Sequence, residues 1–280
     1  MGIDEQLTNN HGEAPVVGGS QQKKIELTVA DISTVTKEAF NKLRGNIQLS
    51  GYDLKTICVT SAVIHEGKSL VAFRLAESFA NLRKKTIYLD CDIRNSRTLS
   101  RYKVQGQVAG LSEFLTGQAR LLDIDYKTAN PYLDIIFAGK AAPNPSELFS
   151  GPLFRQLLDF LKKYYAFVIV DTPPVTGIID GVLIAKECDG TALVVESGVT
   201  DRRQSMKAKQ QLEFAGVKLL GTVLNKVGTK KSGYGYGYGY GYGYGYGYGY
   251  GYGYGYGQYG DEKKKTKLAK YKKKVKFVGK

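Results

Sequence analysis

Histidine is nearly missing from this chain: His11 and His65 are the two it has in 280 residues. That excludes a His-rich metal site and argues against a His-based nucleophilic triad. Cysteine is equally scarce, and Cys58, Cys91 and Cys188 show no paired spacing. They read as reduced thiols packed in a cytosolic core, not as a disulfide framework or a zinc site. No apolar run approaches the ~20 residues that a membrane span needs, and the first residues lack the apolar core of a signal peptide. The expectation is a cytoplasmic protein that reaches a membrane only by peripheral recruitment.

Charge is plentiful but unevenly spread. The net charge is +14, yet the stretch from Asp261 to Lys280 alone holds ten Lys against Asp261 and Glu262. Basicity is therefore mainly a property of this end, which would suit an anionic surface such as lipid, a phosphorylated segment or nucleic acid. Its plain alternative is a solubilising tail. Hydrophobic residues make up 42%, enough for one sizeable globular core.

What the sequence does contain centres on Thr60-Ser61-Ala62-Val63-Ile64-His65-Glu66-Gly67-Lys68-Ser69. This is a P-loop pattern with Ala62 in place of the first Gly. Such a loop turns successive backbone N–H groups towards one spot, and the helix behind it adds its positive end. Ala62, Val63, Ile64, His65, Glu66, Gly67, Lys68, Ser69 and Leu70 are the expected nucleotide-binding residues. Lys68 would reach the β- and γ-phosphates, and the Ser69 hydroxyl would take a position on Mg²⁺. The flanks agree: Lys55–Thr60 reads as a short buried strand. Beyond the loop, Leu70, Phe73, Leu75, Ala76, Phe79, Ala80 and Leu82 recur at near-helical spacing, with Arg74, Glu77 and Ser78 between them.

Two more strands end in acids. Lys85–Leu89 leads into Asp90 and Asp92, and Ala166–Val170 leads into Asp171 before Thr172-Pro173-Pro174 stops it. Ligands in a parallel sheet bind beyond the carboxyl ends of the strands, where these acids should lie. Asp171 has the look of a Walker B carboxylate that orients Mg²⁺. Further helices are expected near 34–50, 111–116, 146–164 and 201–215, and further strands near 132–137, 190–196 and 217–225. The first helix carries a stripe of Val35, Ala39, Phe40, Leu43 and Ile47, with Glu38, Asn41 and Arg44 on what reads as a solvated face. Strands alternating with helices predict an α/β fold, a doubly wound and mainly parallel sheet.

The ends are of another kind. Residues 1–29 read as a mobile N-terminal arm, residues 30–229 as the folded domain, 230–260 as a Tyr/Gly-rich tail and 261–280 as the Lys-rich tail. Of 21 tyrosines, 13 lie between Tyr234 and Tyr259. Gly at alternate positions leaves nothing to pack, so a flexible coil is expected. About 30 such residues span roughly 30 Å, against a radius of gyration near 17 Å for a domain of about 200 residues. The tail could reach its own site or a neighbour's.

The segments Ser61–Ser69, Leu89–Arg94 and Val168–Pro174 resemble the Walker A, A′ and B motifs of the bacterial protein-tyrosine kinases. Glu38-Ala39-Phe40-Asn41-Lys42-Leu43-Arg44 is similar to the helix with which those kinases form rings, and Pro143–Leu148 also fits their pattern. Departures from that pattern are Ile64 for a usual Pro, Arg74 for a usual Asn and Asn41 for a usual Arg in the ring motif. The resemblance covers roughly Ala30 to Tyr259. It implies an ATP- and Mg²⁺-dependent kinase that autophosphorylates a C-terminal cluster, here Tyr234, Tyr236, Tyr238, Tyr240, Tyr242, Tyr244, Tyr246, Tyr248, Tyr250, Tyr252, Tyr254, Tyr256 and Tyr259. It also implies regulation of capsular or extracellular polysaccharide production.

Ser69, Asp171 and Asp92 are the metal candidates. Phosphoryl-transfer chemistry asks for a carboxylate to take the tyrosine proton beside Lys68, and Asp90 is the expected base with Asp92 nearly as good. Glu38 and Arg44 are the oligomerisation pair that the resemblance implies. The implied partners are a separate transmembrane activator of the polysaccharide co-polymerase kind, further copies of the chain in a ring with phosphorylation in trans, and a protein-tyrosine phosphatase. Nucleic acid is not expected. Two rivals remain: a Min- or Par-like P-loop ATPase used as a membrane-associated switch, and a nucleic-acid-binding or scaffold protein working through its tails. The former usually has a second lysine early in the loop, where this chain has Val63.

Overall fold

The computed structural model describes residues 23–104, 106 and 108–228. The Tyr/Gly and Lys-rich tails, with every tyrosine of the expected cluster, lie outside the described residues, as does the arm before Lys23.

Helix α1 (Thr34–Leu49) starts where the Ser33 side chain accepts a hydrogen bond from the Thr36 amide, the N-cap arrangement that replaces a missing intrahelical acceptor. Strand β1 (Thr56–Ser61) and helix α2 (Lys68–Ala80) flank the phosphate loop. There follow β2 (Thr86–Asp90), the short helices α3 (Thr98–Arg101), α4 (Leu111–Leu115) and α5 (Leu121–Ile124), β3 (Tyr126–Lys127) and β4 (Leu133–Ile136). The chain then runs through α6 (Pro145–Ser150), α7 (Pro152–Tyr164), β5 (Phe167–Asp171), α8 (Asp180–Lys186), β6 (Gly190–Glu196), α9 (Arg202–Phe214) and β7 (Leu219–Asn225).

The seven strands lie in the order β3-β4-β2-β5-β1-β6-β7. All neighbours pair in parallel except β3 with β4. Side chains alternate between the faces of a strand, and the core divides accordingly. Ile87, Leu89, Val168 and Val170 join one cluster with Phe154 and Leu157 of α7, while Tyr88 and Ile169 join another with Phe73 and Phe79 of α2. Both faces of the central strands are thus buried, which explains their nearly unbroken apolar sequence.

Several local expectations need correction. The single helix over 146–164 is two, because Gly151 is extended (ψ 158°) and Pro152 opens α7; a residue before proline is disfavoured in helical conformation. In α1, Ile47 is buried but Val35 is 75% exposed, and Ala39 is exposed. In and just after α2, Leu70 and Leu82 are exposed, whereas Arg74 and Ser78 are buried. Arg74 donates to the Ala30 carbonyl and to Glu77, which ties the segment before α1 to α2. Residues 25–29, placed with the arm by the sequence, lie along the domain: Ile25 N donates to Lys127 O and Thr28 N to Tyr102 O, both at 2.9 Å. Helix α8 escaped the sequence reading because it is only seven residues long and Gly181 falls in its first turn. A Cβ at Gly181 would stand 2.5 Å from the Pro173 carbonyl oxygen, so that glycine lets α8 pack on the end of β5.

Candidate active site

The phosphate loop is shaped from behind. His65 (φ 68°) and Gly67 (φ 89°) are both left-handed, and a nest of this kind turns its N–H groups to its concave side. The carbonyls on the outer side are held by the end of the sheet: Asn225 donates to Glu66 O at 2.8 Å and Lys226 to His65 O at 2.7 Å. A Cβ on Gly67 would lie 2.2 Å from Asn225 Nδ2, which explains why this position carries none. The Glu66 side chain is 1% exposed and points away from the cleft. It accepts from Val63 N at 2.7 Å, from Glu196 N at 3.3 Å and from the Thr200 hydroxyl. Glu66 thus braces the loop against β6. Val63 is part of this bracing, while Ile64 and His65 are exposed at the rim. Ala62 is fully buried, its carbonyl accepting from Thr176, which couples the loop to the turn after β5.

Three strand ends converge on the loop. The register sets Asp90 beside Asp171 and Val59 beside Asp171. Lys68, the first residue of α2, reaches Asp92 Oδ2 at 3.3 Å. Burial acts to lower its pKa, but Asp171, Asp92 and Asp90 outweigh that and hold it above the ordinary value. Asp90 is fully buried; its Oδ1 accepts from Asp92 N at 3.1 Å and its Oδ2 from Ser96 Oγ at 2.5 Å. Desolvation still raises its pKa, against the pull of Ser96, Thr98 and the Asp92 amide. Asp92 is 9% exposed, and its Oδ1 accepts from Asn95 N at 3.2 Å. Asp92, Asp90, Lys68 and Ser69 line one cleft.

Asp171 sits beneath that cleft, and burial pushes its pKa up to about 7 even with Lys68, Ser69 and Tyr88 acting to lower it. Tyr88 donates to its Oδ2 at 2.9 Å, while its Oδ1 is buried with no hydrogen-bond partner among the described residues. An orphaned carboxylate oxygen next to a loop serine fits a divalent cation. The consequence for stability has a definite sign. The folded group, near 7, binds a proton more tightly than the unfolded one, near 3.8, so its contribution falls as pH rises between those values. Without metal, the denaturant midpoint of the wild-type protein should therefore drop from pH 5 to pH 8 more than that of Asp171→Asn, and equal slopes would contradict this assignment.

Tyr88 was not singled out in the sequence; its signal is a lone hydroxyl in the buried run Ile87-Tyr88-Leu89. Asp180 was missed too. It is fully buried and pairs with Arg94 at 2.5 Å while accepting from Ser146 Oγ at 2.6 Å, which joins the segment after Asp92 to the Pro143–Leu148 turn. On α1, Glu38 is exposed. Arg44 is not on a solvated face: it donates to Ser78 O and Ser78 Oγ, both at 2.7 Å, and to Asn41 Oδ1 at 3.1 Å.

A mainly parallel sheet with a phosphate loop after β1 and acids at the ends of β5 and β2, the next two strands on one side of it, defines a P-loop NTPase domain with Walker A, A′ and B segments. No protein-family model matches the chain. Tyrosine-protein kinase CpsD of Streptococcus agalactiae is 39% identical over 199 residues, covering 71% of this chain and 87% of that protein. Tyrosine-protein kinase YwqD of Bacillus subtilis is 32% identical over 219 residues, 77% of this chain and 92% of that one. Among solved structures, the kinase domain of the Escherichia coli tyrosine kinase ETK superposes with a TM-score of 0.67 at 31% identity, covering 73% of this chain and 80% of that one. The chain belongs to the bacterial tyrosine-protein kinases and is a protein-tyrosine kinase. MinD of Pyrococcus horikoshii, solved with Mg-ADP, shares the fold alone at 21% identity, a TM-score of 0.54 and 63% and 72% coverage. Among the described residues, no helix is long and apolar enough to cross a membrane.

Proposed function

We propose that this kinase transfers the γ-phosphoryl group of ATP, with Mg²⁺, to its own C-terminal tyrosines Tyr234 to Tyr259. The observation that carries this reading is the meeting of Lys68, Ser69, Asp92 and Asp171 at three neighbouring strand ends, with one oxygen of Asp171 unpaired. Lys68 and the loop amides would hold the β- and γ-phosphates, and Ser69 and Asp171 would hold the metal. Bound Mg²⁺ supplies neutralisation of the phosphate charge. A tyrosine hydroxyl, with an ordinary pKa near 10, needs a carboxylate to take its proton as the O–P bond forms and ADP leaves. Asp90 is fully buried and held by Ser96 and the Asp92 amide, whereas Asp92 keeps 9% exposure at the cleft, which favours Asp92 over Asp90 for that task. Asp90 then serves to fix the Asp92 backbone.

The wider role we infer is regulation of capsular or extracellular polysaccharide production, on the cytoplasmic side of a membrane, with a separate membrane activator. We further propose ring assembly through the α1 helix, with Glu38 at its surface. Phosphopeptide mapping of the protein purified from its own host, beside Lys68→Met, tests the central claim. Phosphate on Tyr234 to Tyr259 that vanishes in Lys68→Met is the expected result. A bare tail on a protein that still hydrolyses ATP would replace it with a Min- or Par-like switch.

A further inference from the structure

Two arginines stand at the cleft with no assigned task. Arg97 and Arg101 line the same cavity as Lys68, Ser69 and Asp92. They are brought there by α3, the single turn that follows the Asp90–Asp92 strand end. Both are exposed. Among the described residues, neither side chain makes an ion pair or a hydrogen bond. Arg74, Arg94, Arg120 and Arg155, by contrast, each pair with a carboxylate. Arg97 caps this turn and Arg101 ends it, the Arg101 amide donating to the Arg97 carbonyl at 2.9 Å, so the two long side chains leave the chain close together on the cleft they both line and can converge on one anion.

The acceptor sequence gives that pair something to hold. The tail places a tyrosine at every second position from Tyr234 to Tyr256. In an extended segment such residues fall on one side, successive ones about 6.6 Å apart. When one hydroxyl stands at the reacting centre, the next tyrosine on that side is therefore a short step along the cleft wall. A bare phenol offers two guanidinium groups little. A phosphotyrosine offers a charge of about −1.5 to −2 and three acceptor oxygens, which the guanidinium fork matches.

We propose that Arg97 and Arg101 form a phosphotyrosine subsite, which docks an already phosphorylated residue of the acceptor segment beside the tyrosine about to react. This rests on the tail being the substrate. Its consequence is that each phosphate added raises the affinity for the next stretch of the repeat, so that modification proceeds along the tail in runs.

The test measures binding, without ATP, of fluorescent nine-residue Gly-Tyr peptides carrying one phosphotyrosine or none to the full chain. The expected result is about ten-fold tighter binding of the phosphopeptide, with that ratio falling close to one in Arg97→Gln/Arg101→Gln and to an intermediate value in each single variant. Equal binding of the two peptides by the wild-type protein overturns the proposal. A ratio kept in the double variant also overturns it, and assigns the phosphate to the Lys-rich end. So does a ratio kept alongside a loss of ATP affinity, which would assign the arginines to the nucleotide. An arginine-dependent preference together with a bare tail in the host protein upholds the subsite and rejects the tail as its natural ligand.

Discussion

Lys68→Met should reduce phosphoryl transfer by about 10²–10³-fold, the usual effect of removing one preorganised group from the charge that develops in the transition state. The reason is visible in its surroundings. Lys68 is the cation that faces Asp92 directly, and it lies within the influence of Asp171 and Asp90 as well. Methionine keeps most of the length and apolar stem and removes only the ammonium group, so the α2 helix that Lys68 begins should persist. Three carboxylates then lose their neutralising partner. Phosphates would enter a cleft whose net charge has moved by one unit against them, and nucleotide affinity should fall along with the rate. Single-turnover transfer from labelled ATP, combined with nucleotide binding by fluorescence, separates the two losses. Transfer within three-fold of wild type would remove Lys68 from the phosphate site.

Glu66→Ala should cost the domain about 3 kcal/mol, the scale for stripping the acceptor from several buried donors. The residue is 1% exposed, and its oxygens take Val63 N, Glu196 N and the Thr200 hydroxyl. Glu196 N keeps the Thr200 hydroxyl as an acceptor at 3.1 Å, whereas Val63 N loses the Glu66 carboxylate that it donates to. The damage should also reach binding. Val63 belongs to the phosphate loop, while Glu196 and Thr200 belong to the end of β6 and the turn after it, so losing Glu66 detaches the loop from the sheet edge that shapes it. Glu66→Gln keeps the volume and one acceptor oxygen and should fall between wild type and Glu66→Ala. Chemical denaturation and ATP affinity measured on the same three proteins check both parts. A Glu66→Ala protein of wild-type stability would show that the loop stands without this brace.

Much of the site was legible because it is local. The run from Thr56 to Ala80 is a strand, a loop and a helix in unbroken order, and each piece carries its own signal: β-branched residues, Gly-Lys-Ser, and a 3.6-residue period. Asp90 and Asp171 were likewise found as acids closing apolar runs. Expectations failed where a residue's partner is far along the chain. Arg74 reads as a surface position in α2 until the Ala30 carbonyl appears across from it, and Arg44 reads as solvated until α1 packs its guanidinium onto Ser78. Glu66 was counted with the nucleotide-binding residues by its place in the motif, although its side chain faces the sheet.

The sequence by itself determined that strands would alternate with helices, that a phosphate loop would follow the first strand and that carboxylates would close two others, since hydrophobic period and loop chemistry are written in neighbouring residues. Only the tertiary structure decided which of those groups meet. The order β2-β5-β1 brings Asp90 level with Asp171 and lets the Tyr88 hydroxyl cross to Asp171 Oδ2, 83 residues away in the chain. Strand order and register follow from how the two faces of the whole sheet are covered, and no window of sequence contains that information.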